Sequence, residues 1–369
     1  MPRDAAKPLR TVRLNFHPDR KTADNLSVVE RMGNVLFAAA DEGAELVRLV
    51  RQDGGAAYDE DAAFPLSDFF ALPAKPSQSD EADIEGMAIA KDWLWIVGSH
   101  SLARKKPRKK DDPAAALARL GEVRRDPNRF LLGRIPLGTD ANGRPMPMHA
   151  DRGRTARCLR FTDDGSALTK ALRDDPQFAR FLDIPAKENG FDIEGLAAWS
   201  DRLFLGLRGP VLRGWACILE LAVEEDPDDP GTLKLLRIGP NDAKFRKHFL
   251  DLGGLGIREL TFDGEDLLIL AGPTMDLDGP VTLWRWAGAQ GVTDESVLRG
   301  DPLVRLLDLP YGDGTDHAEG IAHVPRAGAA PALLVVYDSP DPSRRNGPSV
   351  DADLFALPSR YDPANSFLA

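Results

Sequence analysis

The chain has 369 residues, 43% of them hydrophobic, and a formal net charge of −11 at pH 7. That balance argues against nucleic acid as a partner, because a nucleic-acid-binding surface is basic, and no stretch approaches the ~20 apolar residues of a membrane span. Cys158 and Cys217 are the only cysteines and have no C-x-x-C spacing, which argues against a disulfide or zinc framework.

The first ten residues contain no apolar h-region, so a cytoplasmic protein is expected. Residues 11–16, T-V-R-L-N-F, read as a strand standing ahead of any repeat. A repeated unit then begins. D-N-L-S-V-V at 24–29 is followed by the apolar run 35–38, D-I-E-G-M-A at 83–88 by 94–97, and D-I-E-G-L-A at 192–197 by 203–206. I-R-E-L-T-F at 257–262 precedes 267–270, and H-A-E-G-I-A at 317–322 precedes 333–336. Short polar joints such as Lys91-Asp92 and Ser200-Asp201 mark each pair of runs as a hairpin. Further strand candidates follow in the second unit (129–137, 157–161) and in the third (215–223, 233–238).

Aligned on the glutamate, the copies place Ser27, Glu85, Glu194, Glu259 and Glu319 in register, with spacings of 58, 109, 65 and 60. The unit is therefore near 60 residues, and one unit carries an insertion of roughly 45–50, far beyond an ordinary connection. Three or four strands per unit, repeated five times, predict an all-β fold, a β-propeller of five blades forming one domain over 1–369. A six-bladed ring, with the insertion counted as a blade, is the alternative; the insertion lacks an E-G-x-A opening. The last unit is short of an outer strand, so 11–16 is expected to pair with 353–357 and close the ring.

The insertion, 103–129, opens with the basic run Arg104 to Lys110. Asp112 is a helix N-cap with Pro113 at the first helical position, and Leu117, Leu120 and Val123 share one face. Two readings stand: a rim lid or cationic arm, or a solvated loop with a helix packed on a blade edge.

The first strand of a propeller blade lines the channel, and side chains alternate along it. Gly86, Gly195 and Gly320 suit close approach of a neighbouring sheet. Glu85, Glu194, Glu259 and Glu319 would then crowd one small volume, joined by Asp83, Asp192 and His317. Carboxylates that close must protonate or bind a cation. A hard divalent ion, Ca²⁺ or Mg²⁺, is the expected cofactor; the competing reading is blade-to-blade ties, each glutamate accepting from backbone N–H groups or from an arginine such as Arg208 or Arg258. The ends of the second strands form a mouth: Asp41, His100, Arg208 and Asp338 supply acid, base and anion clamp. Arg208, between glycines in L-G-L-R-G-P-V, is the best anion binder.

The E-G-[ILM]-A repeats, with N-L-S-V-V, L-F-A-A-A-D-E-G, G-L-R-G-P-V and V-V-Y-D-S-P, resemble a bacterial family of propeller-type proteins known only as a domain of unknown function. More distantly, the repeats are similar to those of esterase-like phytases and of regucalcin and gluconolactonase propellers. Those propellers hold a divalent cation on channel carboxylates and hydrolyse phosphoesters or lactones. The resemblance implies Glu85, Glu194, Glu259 and Glu319 as metal ligands, although Ser27 departs from the pattern. The expected function is thus a divalent-metal-dependent hydrolase of a small anionic ester or phosphoester, with His100 or His317 as base and Arg208, Asp41 and Asp338 on the substrate. The alternative is a ligand-binding or protein-interaction propeller with a structural carboxylate ring.

Overall fold

The computed structural model describes residues 5–52, 54–74, 81–326 and 328–358; the two ends of the expected 1–369 domain lie outside the described residues. The architecture is all-β, with curled, nearly closed sheets. Five antiparallel hairpins begin at the five repeats. They pair Leu26–Met32 with Val35–Ala40, Ile84–Ala90 with Trp93–Gly98, and Asp192–Trp199 with Arg202–Leu212. The fourth pairs Gly256–Asp263 with Asp266–Gly272 and the fifth His317–Val324 with Ala332–Asp338. Lys91 and Ser200 turn two of them at φ 56° and 57°, the left-handed conformation that a tight hairpin joint demands.

A third strand follows each hairpin: Glu45–Arg51, Leu132–Thr139, Trp215–Glu225, Val281–Trp286 and Ser349–Ala356. Opening strands lie side by side in chain order, and the fifth returns to the first. Two glycines make that approach possible. A Cβ on Gly86 would fall 2.6 Å from the Leu196 Cβ, and one on Gly320 would fall 3.0 Å from the Ser27 carbonyl oxygen. A cavity of about 240 Å³ is lined by residues from all five opening strands, among them Glu30, Ala88, Ala197, Thr261 and His323.

Arg10–Asn15 runs antiparallel to Ser349–Ala356, with Thr11 opposite Asp353, as the sequence leads one to expect. It also pairs in parallel with Ala57–Pro65, Arg13 opposite Ala57, so one strand ties the outer edge of the last unit to that of the first. Arg157–Leu159 with Thr232–Leu235, and Arg246–Asp251 with Ser296–Leu298, make similar parallel ties. The core lies between neighbouring sheets; Phe204, Ile218, Ile257, Leu260 and Ile269 form one such layer, each worth about 1.5–3 kcal/mol when fully buried.

The extra length of the second unit is divided in two. The first excursion carries the expected helix, Pro113–Gly121, capped by Asp112, whose Oδ1 accepts from Ala115 N at 2.8 Å. None of its apolar face is buried: Leu117 is 70% exposed and Leu120 44%, so the reading of a helix packed on a blade edge is corrected. The basic run is partly neutralised, Arg104 by Glu188 and Lys106 by Asp276. Its end is not mobile rim, because Pro127, Asn128 and Phe130 are buried. A second excursion, unanticipated, holds the short helix Ala167–Leu172, seated on Leu168 and Leu172.

Candidate functional site

Every opening strand carries a β-bulge at the same place. Pairing skips one residue between Leu26 and Val28, Ile84 and Gly86, Ile193 and Gly195, Ile257 and Glu259, and Ala318 and Gly320. The skipped residues are Ser27, Glu85, Glu194, Arg258 and Glu319. A bulge leaves its extra residue out of the ladder and re-aims its side chain. The fourth member of the ring is thus Arg258, and alignment on Glu259 is one residue out of register. Glu259 takes the glycine place instead. Its Oε1 accepts from Leu196 N at 3.1 Å and Leu260 N at 2.8 Å, so it ties two opening strands.

An arginine among the glutamates changes the electrostatics. Arg258 sets its Nε 3.0 Å from Glu194 Oε2 and pairs through Nη2 with Glu319. Arg208 donates from Nη1 to Glu194 Oε1 at 2.8 Å, lies 3.9 Å from Asp192, and reaches the Met275 carbonyl at 3.3 Å. Arg208 is therefore engaged inside the ring rather than held free for an anion. Ser27 ties the first unit to the second, donating to the Ile84 carbonyl at 2.7 Å. Glu194 and Glu319 serve as the ties weighed above as the competing reading. Among the described residues no three His, Cys, Asp or Glu side chains are gathered to hold a metal ion, so Glu85, Glu194, Glu259 and Glu319 do not fit as one ligand set.

The other half of the mouth is different. Glu85 is half-buried and forms no ion pair among the described residues. Burial, then the charges of Asp83, Glu194, Asp41 and Asp192, hold its carboxyl well above the usual range. Burial with Asp83 and Asp338 nearby raises Asp41 to about 7. Burial and Glu194 raise Asp192 to about 8, although Arg208 opposes them. Asp83, at φ 50°, is held by Arg129 Nη1 at 2.9 Å. Arg129 belongs to the return of the first excursion, far from any repeat, and nothing in the local sequence marks it as a site residue.

His317 and Asp338 stand together at the fifth hairpin. His317 Nε2 lies 3.0 Å from Asp278 Oδ1, and its Nδ1 lies 3.9 Å from Asp338 Oδ2. Both carboxylates raise the imidazole against its burial. Burial works to raise Asp338, but His317 and Ser339 outweigh it and hold it low. His100, placed at the mouth by its position in the repeat, is elsewhere. It sits at φ 56°, 3% exposed, against Phe130 in a side cavity. Burial lowers it to about 4. It faces no channel carboxylate and is not a base for the channel.

The fold and site together define a propeller-type all-β chain whose channel mouth carries arginine-paired glutamates on one side and crowded carboxylates on the other. The chain belongs to the family described as "Protein of unknown function (DUF3616)", which it matches over residues 25–353. No curated protein matches it. Among solved structures it is similar to the glutaminyl cyclase of Myxococcus xanthus, at 11% identity and a TM-score of 0.41, over 96% of this chain and 98% of that one. It is also similar to the PQQ-bound aldose sugar dehydrogenase of Streptomyces coelicolor, at 12% identity and a TM-score of 0.33, over 95% and 98%. Sqt1 of Saccharomyces cerevisiae gives 11% identity and a TM-score of 0.33, over 97% and 100%.

Proposed function

We propose that the protein is a five-bladed propeller that binds a small molecule through a cationic group, an ammonium or a guanidinium, at Asp41, Glu85 and Asp192. The blade count is supported by the five bulged opening strands and by the cavity that all five of them line. One observation carries the ligand class. Three glutamates occupy equivalent bulges, and Glu194 and Glu319 have arginines against them, whereas Glu85 lies among four other carboxylates without a paired cation. Carboxyls whose ionisation is disfavoured by burial and crowding gain from a bound cation, because the cation relieves both together. A free anion has no such place, since Arg208 and Arg258 are already engaged.

Calorimetric titration at pH 8 with methylammonium, arginine and spermidine tests this. The wild type is expected to bind at least one of the amines, and Glu85→Gln is expected to lose that binding. At 100 times its dissociation constant a bound amine adds about 2.7 kcal/mol of stability. Absence of binding by every amine sinks the reading. A response confined to Ca²⁺ or Mg²⁺ favours the metal-dependent alternative.

The hydrolase reading, with its distant likeness to phytases and lactonases, retains one support. His317, held between Asp338 and Asp278 at the mouth, has the partners of a general acid. Turnover of a small ester that His317→Gln abolishes would establish it.

A further inference from the structure

We propose that the side cavity between the second hairpin and the two excursions, bounded by His100, Phe130, Arg125 and Arg173, binds a small oxyanion that also carries a hydroxyl group. The cavity is about 280 Å³ and is separate from the channel. It rests on observations that the channel reading does not use.

His100 is the anchor. Its Nδ1 lies 2.9 Å from the Gly98 carbonyl oxygen, which can only accept, so Nδ1 carries the hydrogen. In the neutral ring Nε2 is then an acceptor. That nitrogen is buried and has no partner among the described residues. Leaving a buried polar atom unsatisfied is costly, and the backbone at the same residue is left-handed, at φ 56°. Strain and an unsatisfied atom at one residue are common marks of a ligand site. The hydrogen-bond donor that Nε2 calls for must come from the cavity, whose volume is several times the ~30 Å³ of one water.

The charged walls select the rest of the ligand. Two arginines face one carboxylate, Asp183, in a chain whose net charge is −11. Arg125 donates from Nη1 to the Asp164 carbonyl at 3.1 Å and lies 3.9 Å from Asp183, whose side chain is 82% exposed. The Arg173 side chain is exposed and forms no ion pair among the described residues. A guanidinium presents paired N–H donors that match a phosphate or carboxylate. Phe130, with the Arg125 guanidinium 5.6 Å from its ring centre, supplies the apolar side. The complementary molecule has an anionic head for the arginines and a hydroxyl for His100.

Calorimetry with glycerol 3-phosphate and with glycerate tests the proposal and separates the phosphate from the carboxylate form. One of the two is expected to bind the wild type. Arg173→Ala should weaken it at least ten-fold, and Arg326→Ala, an exposed arginine elsewhere, should not. Sulfate, which has no hydroxyl to offer, should bind at least ten-fold more weakly. Should a His100 variant fail to fold, the ¹⁵N signal of His100 Nε2 in the wild type gives the same answer, because it must move on saturation. The proposal is overturned if neither probe binds at millimolar concentration, if Arg173→Ala binds as tightly as wild type, or if that signal stays fixed.

Discussion

Arg258, in the fourth hairpin, places its Nε 3.0 Å from Oε2 of Glu194 in the third. The two residues occupy equivalent bulges, so the repeat that supplies a glutamate to one unit supplies its counter-ion to the next. Arg258 also pairs with Glu319, in the fifth unit. One arginine thus joins three consecutive units at the axis of the ring.

This relationship makes Arg258 a keystone for stability. Removing one partner of a buried ion pair leaves an uncompensated charge and costs about 3–5 kcal/mol. Arg258→Met should therefore lower the urea midpoint strongly. Adding Glu319→Gln should restore much of it, because Glu319 is the carboxylate left without its arginine, whereas Glu194 keeps Arg208. A single mutant as stable as the wild type would show that the pairs contribute little.

The hairpins, the closing strand and the helix cap were legible in the sequence because each has a local signature: paired apolar runs with a polar joint, a terminal strand without a partner, Asp112 before Pro113. The ring of bulged residues was legible in four members of five. Glu259 misled because it stands beside the residue that counts, and a slip of one position turns a strand residue to the other face. Registering Ile257 and Leu260 against Ile84 and Met87, or Ile193 and Leu196, would have put Arg258 under Glu85. His100 escaped for another reason. Its position in the repeat is right, but the two excursions fold over the strand end and enclose it, and no repeat pattern records that. Arg129 reaches Asp83 from one of those excursions, a contact set by tertiary packing alone.

The raised carboxyls predict a pH dependence of stability. Asp192 is raised to about 8 and Asp41 to about 7, both above the ~4 of an unfolded aspartate. A group that holds its proton more tightly when folded stabilises fully below its unfolded value, and that contribution is lost as pH rises through the folded value. The melting temperature should then fall between pH 6 and pH 9. Glu30, which burial raises to about 8, acts in the same direction. In Asp192→Asn the decline should be shallower. A melting temperature that rises over that interval would contradict the raised carboxyls of Asp192 and Asp41.

Closure of the ring gives a test by truncation. Val12, Leu14 and Phe16 are buried between the first and last units, and losing all three would remove on the order of 5–9 kcal/mol of apolar burial. Typical domains hold only about 5–15 kcal/mol in total. A chain lacking residues 1–16 should be unfolded or melt far below the full chain, and Leu14→Ala should cost about 2–5 kcal/mol. An unchanged melting curve for the truncated chain would remove the closing role of Arg10–Asn15.

The first excursion should separate into a dispensable and an essential part. The helix Pro113–Gly121 buries no residue. The ties of the preceding basic run to the body, such as Lys106 with Asp276, are surface pairs worth about 0–1 kcal/mol each. Replacing residues 105–122 with a short glycine-serine link should therefore leave the melting temperature within a few degrees of wild type. Extending the deletion to 129 should not be tolerated. It removes buried Pro127 and Asn128 together with Arg129, which pairs with Asp83 at the channel mouth and accepts the His100 backbone N–H on its carbonyl. Asp83 would then lie among the other mouth carboxylates with its arginine gone, and the side cavity would lose the segment that holds Phe130. Equal melting temperatures for the two deletions would mean that the boundary between rim and core has been drawn in the wrong place.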